Sequence, residues 1–305
     1  MQEHRDKQQA VATRASEVLA ELLARPLPAG LYLVATPIGN LGDVSLRALS
    51  VLARADLIAA EDTRHSKKLL SHYGIAATLT PYHEHNAAKE RPRLLARLRA
   101  GESVALISDA GTPLISDPGY KLVRDALDEG LVVTSIPGPS ATLAALTSAG
   151  LPTDAFLFAG FPPPKQGARR ARLAELAHAP ATLIFFETAP RLARTLADMA
   201  ELLGPREAAV ARELTKLHET VTRGTLADLA TELAQSDQLK GELVVLVAPP
   251  SADETEASDE TIVAALREAL ETESFRDAVR SVAEKLNASR ARVYELGLAL
   301  TRKRD

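Results

Sequence analysis

The sequence predicts an α/β fold: two α/β domains with a cleft between them, followed by a helical tail. Three observations predict it. Short runs of β-forming apolar residues alternate with helical segments from Leu31 to Gly150. A second such alternation follows Leu151-Pro152-Thr153 and runs to Ala248. Beyond the acidic run SADETEASDE at 251–260, apolar residues recur only at helical spacing.

Residues 1–28 read as a polar helical extension, ended by Pro26 and Pro28. They lack a signal peptide's continuous apolar core, because Glu21 follows Val18-Leu19-Ala20 almost at once. Leu31 to Thr36 is the first strand, stopped by Pro37 and Gly39. Ser45 opens a helix, and Leu57 to Ala60 is a second strand that ends in Glu61-Asp62-Thr63-Arg64. A helix from about His65 closes at Gly74. Thr78 to Tyr82 is a short strand leading into His83-Glu84-His85-Asn86, and the next helix closes at Gly101. Val104 to Ser108 reads as a buried strand, and it enters the loop DAGTPLISDPG. A helix to Glu129, a strand from Val132 to Ile136, the turn PGPS and an Ala-rich helix complete the first domain, 29–150.

The second domain, 151–249, places strands at Phe156 to Phe161, Thr182 to Glu187, Ala208 to Glu213, Thr220 to Arg223 and Leu243 to Ala248. Residues 250–260 read as a solvated linker. The tail, 261–305, reads as three helices, with Asn287-Ala288-Ser289 turning between the last two. Its last segment, Lys285 to Arg304, is basic, which suits a helix-turn-helix or equally a small capping bundle.

Composition narrows the function. A net charge of −4 excludes a uniformly basic nucleic-acid binder but leaves room for a local basic patch. The absence of Cys excludes disulfides, thiolate metal sites and a thiol nucleophile, and fits an intracellular protein. No apolar run is long enough to span a membrane. No strand is followed by G-x-G-x-x-G, and G-x-x-x-x-G-K-[ST] is absent, so dinucleotide and P-loop readings lose their usual support.

Three Gly/Pro-rich loops at strand ends point to a ligand site, since open α/β sheets bind beyond the carboxyl ends of their strands. In the central loop, Gly111 and Gly119 permit angles and approaches that a Cβ forbids. Glu61, Asp62, Arg64 and His83 are the candidate catalytic residues. Glu61 or Asp62 could accept a proton, although Asp62 or Thr63 could equally cap the following helix. Arg64 has the geometry for a bidentate phosphate contact. His83 and His85 fall on one face of a strand, but no further ligand has a recognisable spacing, so no metal site is assigned. Lys216, His218 and Glu219 form a further polar cluster, and Lys165, Arg169, Arg170 and Arg172 follow a proline-rich turn, where they suit a nucleic-acid backbone.

Together, LYLVATPIGNLGD at 31–43, AAEDTRHSKKLL at 59–70, ISDAGTPLISDPG at 107–119, SIPGPSA at 135–141, FFETAPR at 185–191, RELTKLHE at 212–219 and GELVVLV at 241–247 resemble the RsmI family, within the tetrapyrrole-methylase fold superfamily. The resemblance covers Leu31 to Ala248, and the tail is similar to that family's helix-turn-helix extension. It implies two α/β domains of the tetrapyrrole-methylase type, a homodimer in the cytoplasm, and S-adenosylmethionine (SAM) in the cleft. It further implies methylation of the ribose 2′-hydroxyl of a cytidine in the decoding region of small-subunit (16S) rRNA. Carried over by motif, the SAM contacts fall on Pro37, Ile38 and Gly39, on Asp109, Ala110, Gly111, Thr112 and Ile115, on Ser140 and Ala141, and on Phe186, Leu214 and Thr215. Related porphyrin-type methylases carry Asp where Thr112 stands, so the polar contacts there differ. The RNA contacts fall on Lys165, Arg169, Arg170, Lys216, Arg290 and Arg292. The rival readings are a tetrapyrrole C-methyltransferase and a non-catalytic SAM-binding ribosome-assembly factor.

Overall fold

The computed structural model describes residues 2–234, 241–251, 259–286 and 288–301. The first unit is a five-stranded sheet of β1 (Gly30–Val34), β2 (Leu57–Ala60), β3 (Leu79–Pro81), β4 (Ser103–Ile107) and β5 (Val133–Ile136). Its order is β3-β2-β4-β1-β5, and every pairing is parallel. Parallel strands require crossovers, here α2 (Leu46–Arg54), α3 (Thr63–His72), α4 (Ala87–Arg99) and α5 (Tyr120–Asp128). The alternation of side chains along each strand feeds two cores. Tyr32, Val34, Ile58 and Ala105 pack with α2 and α3 on one face, whereas Leu31, Leu57, Ala59 and Val104 pack with α4 and α5 on the other. The polar helix α1 (Gln2–Ala24) is exposed over most of its length and packs on α2.

The second sheet contains β6 (Phe156–Gly160), β7 (Thr182–Thr188), β8 (Glu207–Arg212), β9 (Thr220–Thr225) and β10 (Glu242–Val247), in the order β6-β7-β10-β8-β9. Only β6 and β7 pair in parallel, and β10, last in the chain, inserts antiparallel between β7 and β8. One face is covered by α7 (Gln166–Leu176), α8 (Ala189–Leu203) and α9 (Leu226–Ala234). The other packs on α6 (Ala141–Ala149), which leaves the first sheet, and on Ile38, Ala110 and Leu214. That shared apolar cluster holds the two sheets together and sets the floor of the cleft.

The tail is a three-helix unit of α10 (Asp259–Ala269), α11 (Phe275–Lys285) and α12 (Arg290–Thr301). Its core is its own: Ile262, Leu266, Val279, Val282 and Val293 pack together. Most of the acidic run, Asn287 of the turn and the basic residues 302–304 lie outside the described residues.

Candidate active site and its two cavities

Because β1, β2, β4 and β5 run parallel, their following loops gather on one edge of the first sheet. Those loops are tied to one another. Thr36 and Gly111 exchange two backbone hydrogen bonds of 2.9 Å, which joins the loops after β1 and β4. The Thr112 hydroxyl donates to the Pro139 carbonyl at 3.2 Å, which joins the β4 and β5 loops. Thr112 therefore serves as an internal tie between the two loops. Gly111 sits at φ +77°, and a Cβ there would lie 3.3 Å from Ile38 Cγ2. Leu114 and Ser116 also take positive φ, a costly conformation that the surrounding ties must hold.

Between these loops and the edge of the second sheet lies a cavity of about 420 Å3. Its loop side is Ile38, Ala110, Gly111, Thr112 and Ile115, and its far side is Phe161, Phe186, Leu243 and Val244. Phe186 stacks edge-on with both Phe158 and Phe161, making an apolar aromatic wall. Ser140 and Ala141 close one end at the start of α6. Five carboxylate residues line this cavity: Glu187 and Glu242 from the second sheet, and Glu61, Asp109 and Asp117 from the loops of the first. Asp109 Oδ1 accepts the Asp62 N–H at 3.0 Å, and Glu61 Oε2 faces the Asp109 N–H at 3.5 Å. Burial first, then the charge of Asp109, raises the Glu61 carboxyl above its ordinary range. Burial first, with the charges of Glu61 and Asp109 added and a Ser108 hydrogen bond opposing, pushes Asp117 up to about 6.

The raised Asp117 has a stability consequence with a definite sign. A carboxyl whose folded pKa exceeds its unfolded value binds its proton more tightly when folded. It therefore lowers stability as pH rises from the unfolded value through about 6, and the loss is complete above that. The group is only half-buried, so screening by solvent reduces the effect to about 1 kcal/mol. Asp117→Asn should raise the thermal midpoint near neutral pH and change it little at about pH 4, as read by thermal unfolding at both pH values.

A second cavity of about 550 Å3 lies against the first and shares Ile38, Asp109, Ala110 and Glu242 with it. Pro37, Gly39, Leu41, His65, Lys68 and Lys216 line it. Gly39 is required by the second lobe: a Cβ there would lie 2.5 Å from Lys216 Cγ. The neighbouring Asn40 N–H donates to Thr215 Oγ1 at 3.2 Å, across the cleft.

Of the residues assigned to SAM from the sequence, Ile38, Asp109, Ala110, Gly111, Thr112, Ile115, Ser140, Ala141 and Phe186 line the first cavity. Pro37 and Gly39 line the second. Leu214 is buried in the core between the sheets and Thr215 bridges to Asn40, and neither lines a cavity. Of the four catalytic candidates, Glu61 alone lines either of these two cavities. Asp62 caps α3, accepting the Arg64 N–H at 2.8 Å, and its hydrogen bonds from Arg64 hold it down to about 2. The Arg64 guanidinium is engaged with that same carboxylate at 3.0 Å. His83 and His85 lie beyond β3, so they share no strand face, and His83 Nδ1 is buried without a hydrogen-bond partner among the described residues.

The RNA assignments need correction at Arg169. It is only 2% exposed, and its guanidinium pairs with Asp198 of α8 at 2.6 Å. Packing of α7 on α8 buries it, so it is structural. Arg170 pairs with Glu201 and Asp198, Lys216 with Glu213 and Glu242, and Arg292 with Asp259. Lys165 and Arg290 remain exposed.

Sequence reasoning missed Asp117 and Glu187. Glu187 lies on the cavity wall with its carboxylate buried, accepting from Thr195 Oγ1 at 2.5 Å and from the Thr188 N–H at 2.8 Å. Arg191 sits 3.3 Å away, and the four-residue spacing inside FFETAPR was the signal available for this pairing. Among the described residues no helix is long and apolar enough to cross a membrane.

Comparison with known proteins agrees with this architecture. Residues 30–230 match the family model for tetrapyrrole (corrin/porphyrin) methylases. The ribosomal RNA small subunit methyltransferase I of Mesorhizobium japonicum is 59% identical over 240 residues, covering 78% of this chain and 82% of that protein. The protein of the same name from Xylella fastidiosa is 54% identical over 72% of this chain and 81% of its own length. Among solved structures, the uroporphyrin-III C-methyltransferase of Thermus thermophilus, in complex with S-adenyl homocysteine, shares the fold at a TM-score of 0.51 and 21% identity, over 71% of this chain and 96% of that one. The chain belongs to the ribosomal RNA small subunit methyltransferase I family, within the tetrapyrrole methylases.

Proposed function

We propose that this chain methylates the ribose 2′-hydroxyl of a cytidine in the decoding region of small-subunit rRNA, with SAM as methyl donor. The observation that carries the reading is the first cavity, where an aromatic wall, loop backbone and the loop carboxylates Glu61, Asp109 and Asp117 converge. Those features match the donor part by part. Phe186 and Phe161 suit the adenine, and the backbone of Ala110, Thr112 and Ser140 suits the polar groups of the ribose and amino acid. Glu61, Asp109 and Asp117 suit a positive sulfonium. When bound, SAM supplies an electrophilic methyl group. The relatives' names support the rRNA substrate, and the motif resemblance supports the cytidine ribose oxygen.

Glu61 is the side chain assigned to remove the hydroxyl proton, since a neutral hydroxyl is a weak nucleophile. Its raised pKa makes it a stronger base than an ordinary carboxylate while leaving it able to ionise. The same reading gives a cytoplasmic homodimer, divided at 29–150, 151–249 and the tail 261–305, with Lys165 and Arg290 free to meet RNA.

The test is transfer of labelled methyl from SAM to unmodified small subunits, naked rRNA and uroporphyrinogen. Label on a cytidine ribose of the subunit is the expected result. Label only on the tetrapyrrole overturns the reading, and tight RNA binding without transfer makes the chain an assembly factor.

A further inference from the structure

The second cavity is unaccounted for by the donor site. Its position, size and charge distribution together give it a ligand class. It adjoins the first cavity at Ile38, Asp109 and Ala110, so occupants of the two meet at that wall. Its volume of about 550 Å3 is in the range that holds a nucleotide-sized ligand.

Its charges come from different elements. The carboxylates, Asp109 and Glu242, come from the β4 loop and β10. The basic side chains other than Lys216 come from α3: His65 and Lys68, three residues apart and so on one helix face. Lys216 is already paired with Glu213 and Glu242, and Arg64, also on α3, with Asp62. Lys68 has no ion-pair partner among the described residues, and the His65 imidazole has no hydrogen-bond partner among them. Both residues are exposed on the α3 side of the cavity, and an ammonium there without a protein counter-ion is matched by an anion from outside. A phosphodiester supplies one, and Lys binds phosphate as a point charge.

We propose that the second cavity seats the RNA backbone beside the nucleotide to be methylated, with Lys68 and His65 holding its phosphate. The phosphate lies on the α3 side, so the attached ribose extends toward the wall at Asp109 and Ala110, where Glu61 and the first cavity begin. This assignment rests on the rRNA reading above and gives it a docking point.

The experiment compares the full-length protein with its Lys68→Gln and His65→Gln variants. The probes are a fluorescent single-stranded ribo-oligonucleotide of the decoding-region sequence, SAM by calorimetry, and methyl transfer to small subunits. Lys68→Gln should weaken oligonucleotide binding about tenfold, as expected for loss of a charge-assisted contact. It should also make the slope of log affinity against log salt shallower by about 0.7, the value for one phosphate contact on a single strand. His65→Gln should weaken binding by a smaller factor. Both should raise KM for subunits while SAM affinity stays at the wild-type value. Unchanged oligonucleotide affinity and salt slope in both variants would overturn the assignment. The two readings fail separately. A wild-type protein that binds the oligonucleotide through Lys68 but transfers no methyl keeps this site and loses the proposed reaction. A wild-type protein that transfers methyl, with both variants matching it in affinity and KM, keeps the reaction and loses this site.

Discussion

Gly111→Arg is expected to abolish SAM binding. At φ +77° the backbone is already in the region that side chains avoid, and its N–H and C=O are both committed to Thr36. A Cβ arrives 3.3 Å from Ile38 Cγ2, and the rest of the arginine has only the cavity to occupy. Its positive charge would also meet Glu61, Asp109 and Asp117 in place of the sulfonium. Calorimetry should show affinity reduced by more than about 100-fold, equivalent to a loss of more than ~2.7 kcal/mol. Gly111→Ala separates the two causes. It bears the backbone strain, about 1–2 kcal/mol of stability, yet leaves the cavity nearly its full size, so its SAM affinity should stay within about tenfold of wild type. Wild-type affinity in the arginine variant would remove the first cavity from consideration.

Glu61→Gln should lower kcat by about 10²- to 10⁴-fold, the range for loss of a general base, with SAM affinity changed only a few-fold. The amide keeps the size and the hydrogen-bonding reach of the carboxylate but cannot take the proton. The pH dependence follows from the same group. The base works ionised, and its pKa is raised, so wild-type kcat should fall as pH drops through that raised value. The residual rate of the variant should lack that inflection. An identical pH profile in both would assign the proton to another group, with Asp117 and Asp109 the neighbours in reach.

Much of this arrangement was legible in the sequence because the signals were local. The apolar run Val104 to Ile107 had to be a central strand, and β4 is buried at every position. Gly111 and Gly119 marked positive φ, and both take it. Ser45 and Ser140 marked helix starts, and each caps one. What stayed hidden depends on contacts distant in sequence. The arginine run after PPPKQGA reads as a solvated patch until Asp198, on the next helix but one strand later, is found against Arg169. Glu61 and Asp62 are indistinguishable by type; the end of β2 turns one into the cavity and makes the other a cap. Asp117 is raised chiefly by burial, to which the charges of Glu61 and Asp109 add, and neither its burial nor the approach of Glu61 has a local signature. No glycine announced the positive φ at Leu114 and Ser116, which loop ties alone sustain. The insertion of β10 between β7 and β8 likewise has no local signature, yet it brings Gly241 to Val244 onto the cavity wall.

A crystal structure of the full-length protein with S-adenosylhomocysteine tests the central claim most directly. The ligand should lie in the first cavity, its adenine against Phe186, its backbone contacts from Ala110 and Thr112, and its sulfur facing the carboxylates of Glu61, Asp109 and Asp117. Density for the ligand anywhere else, with that cavity empty, would contradict the account.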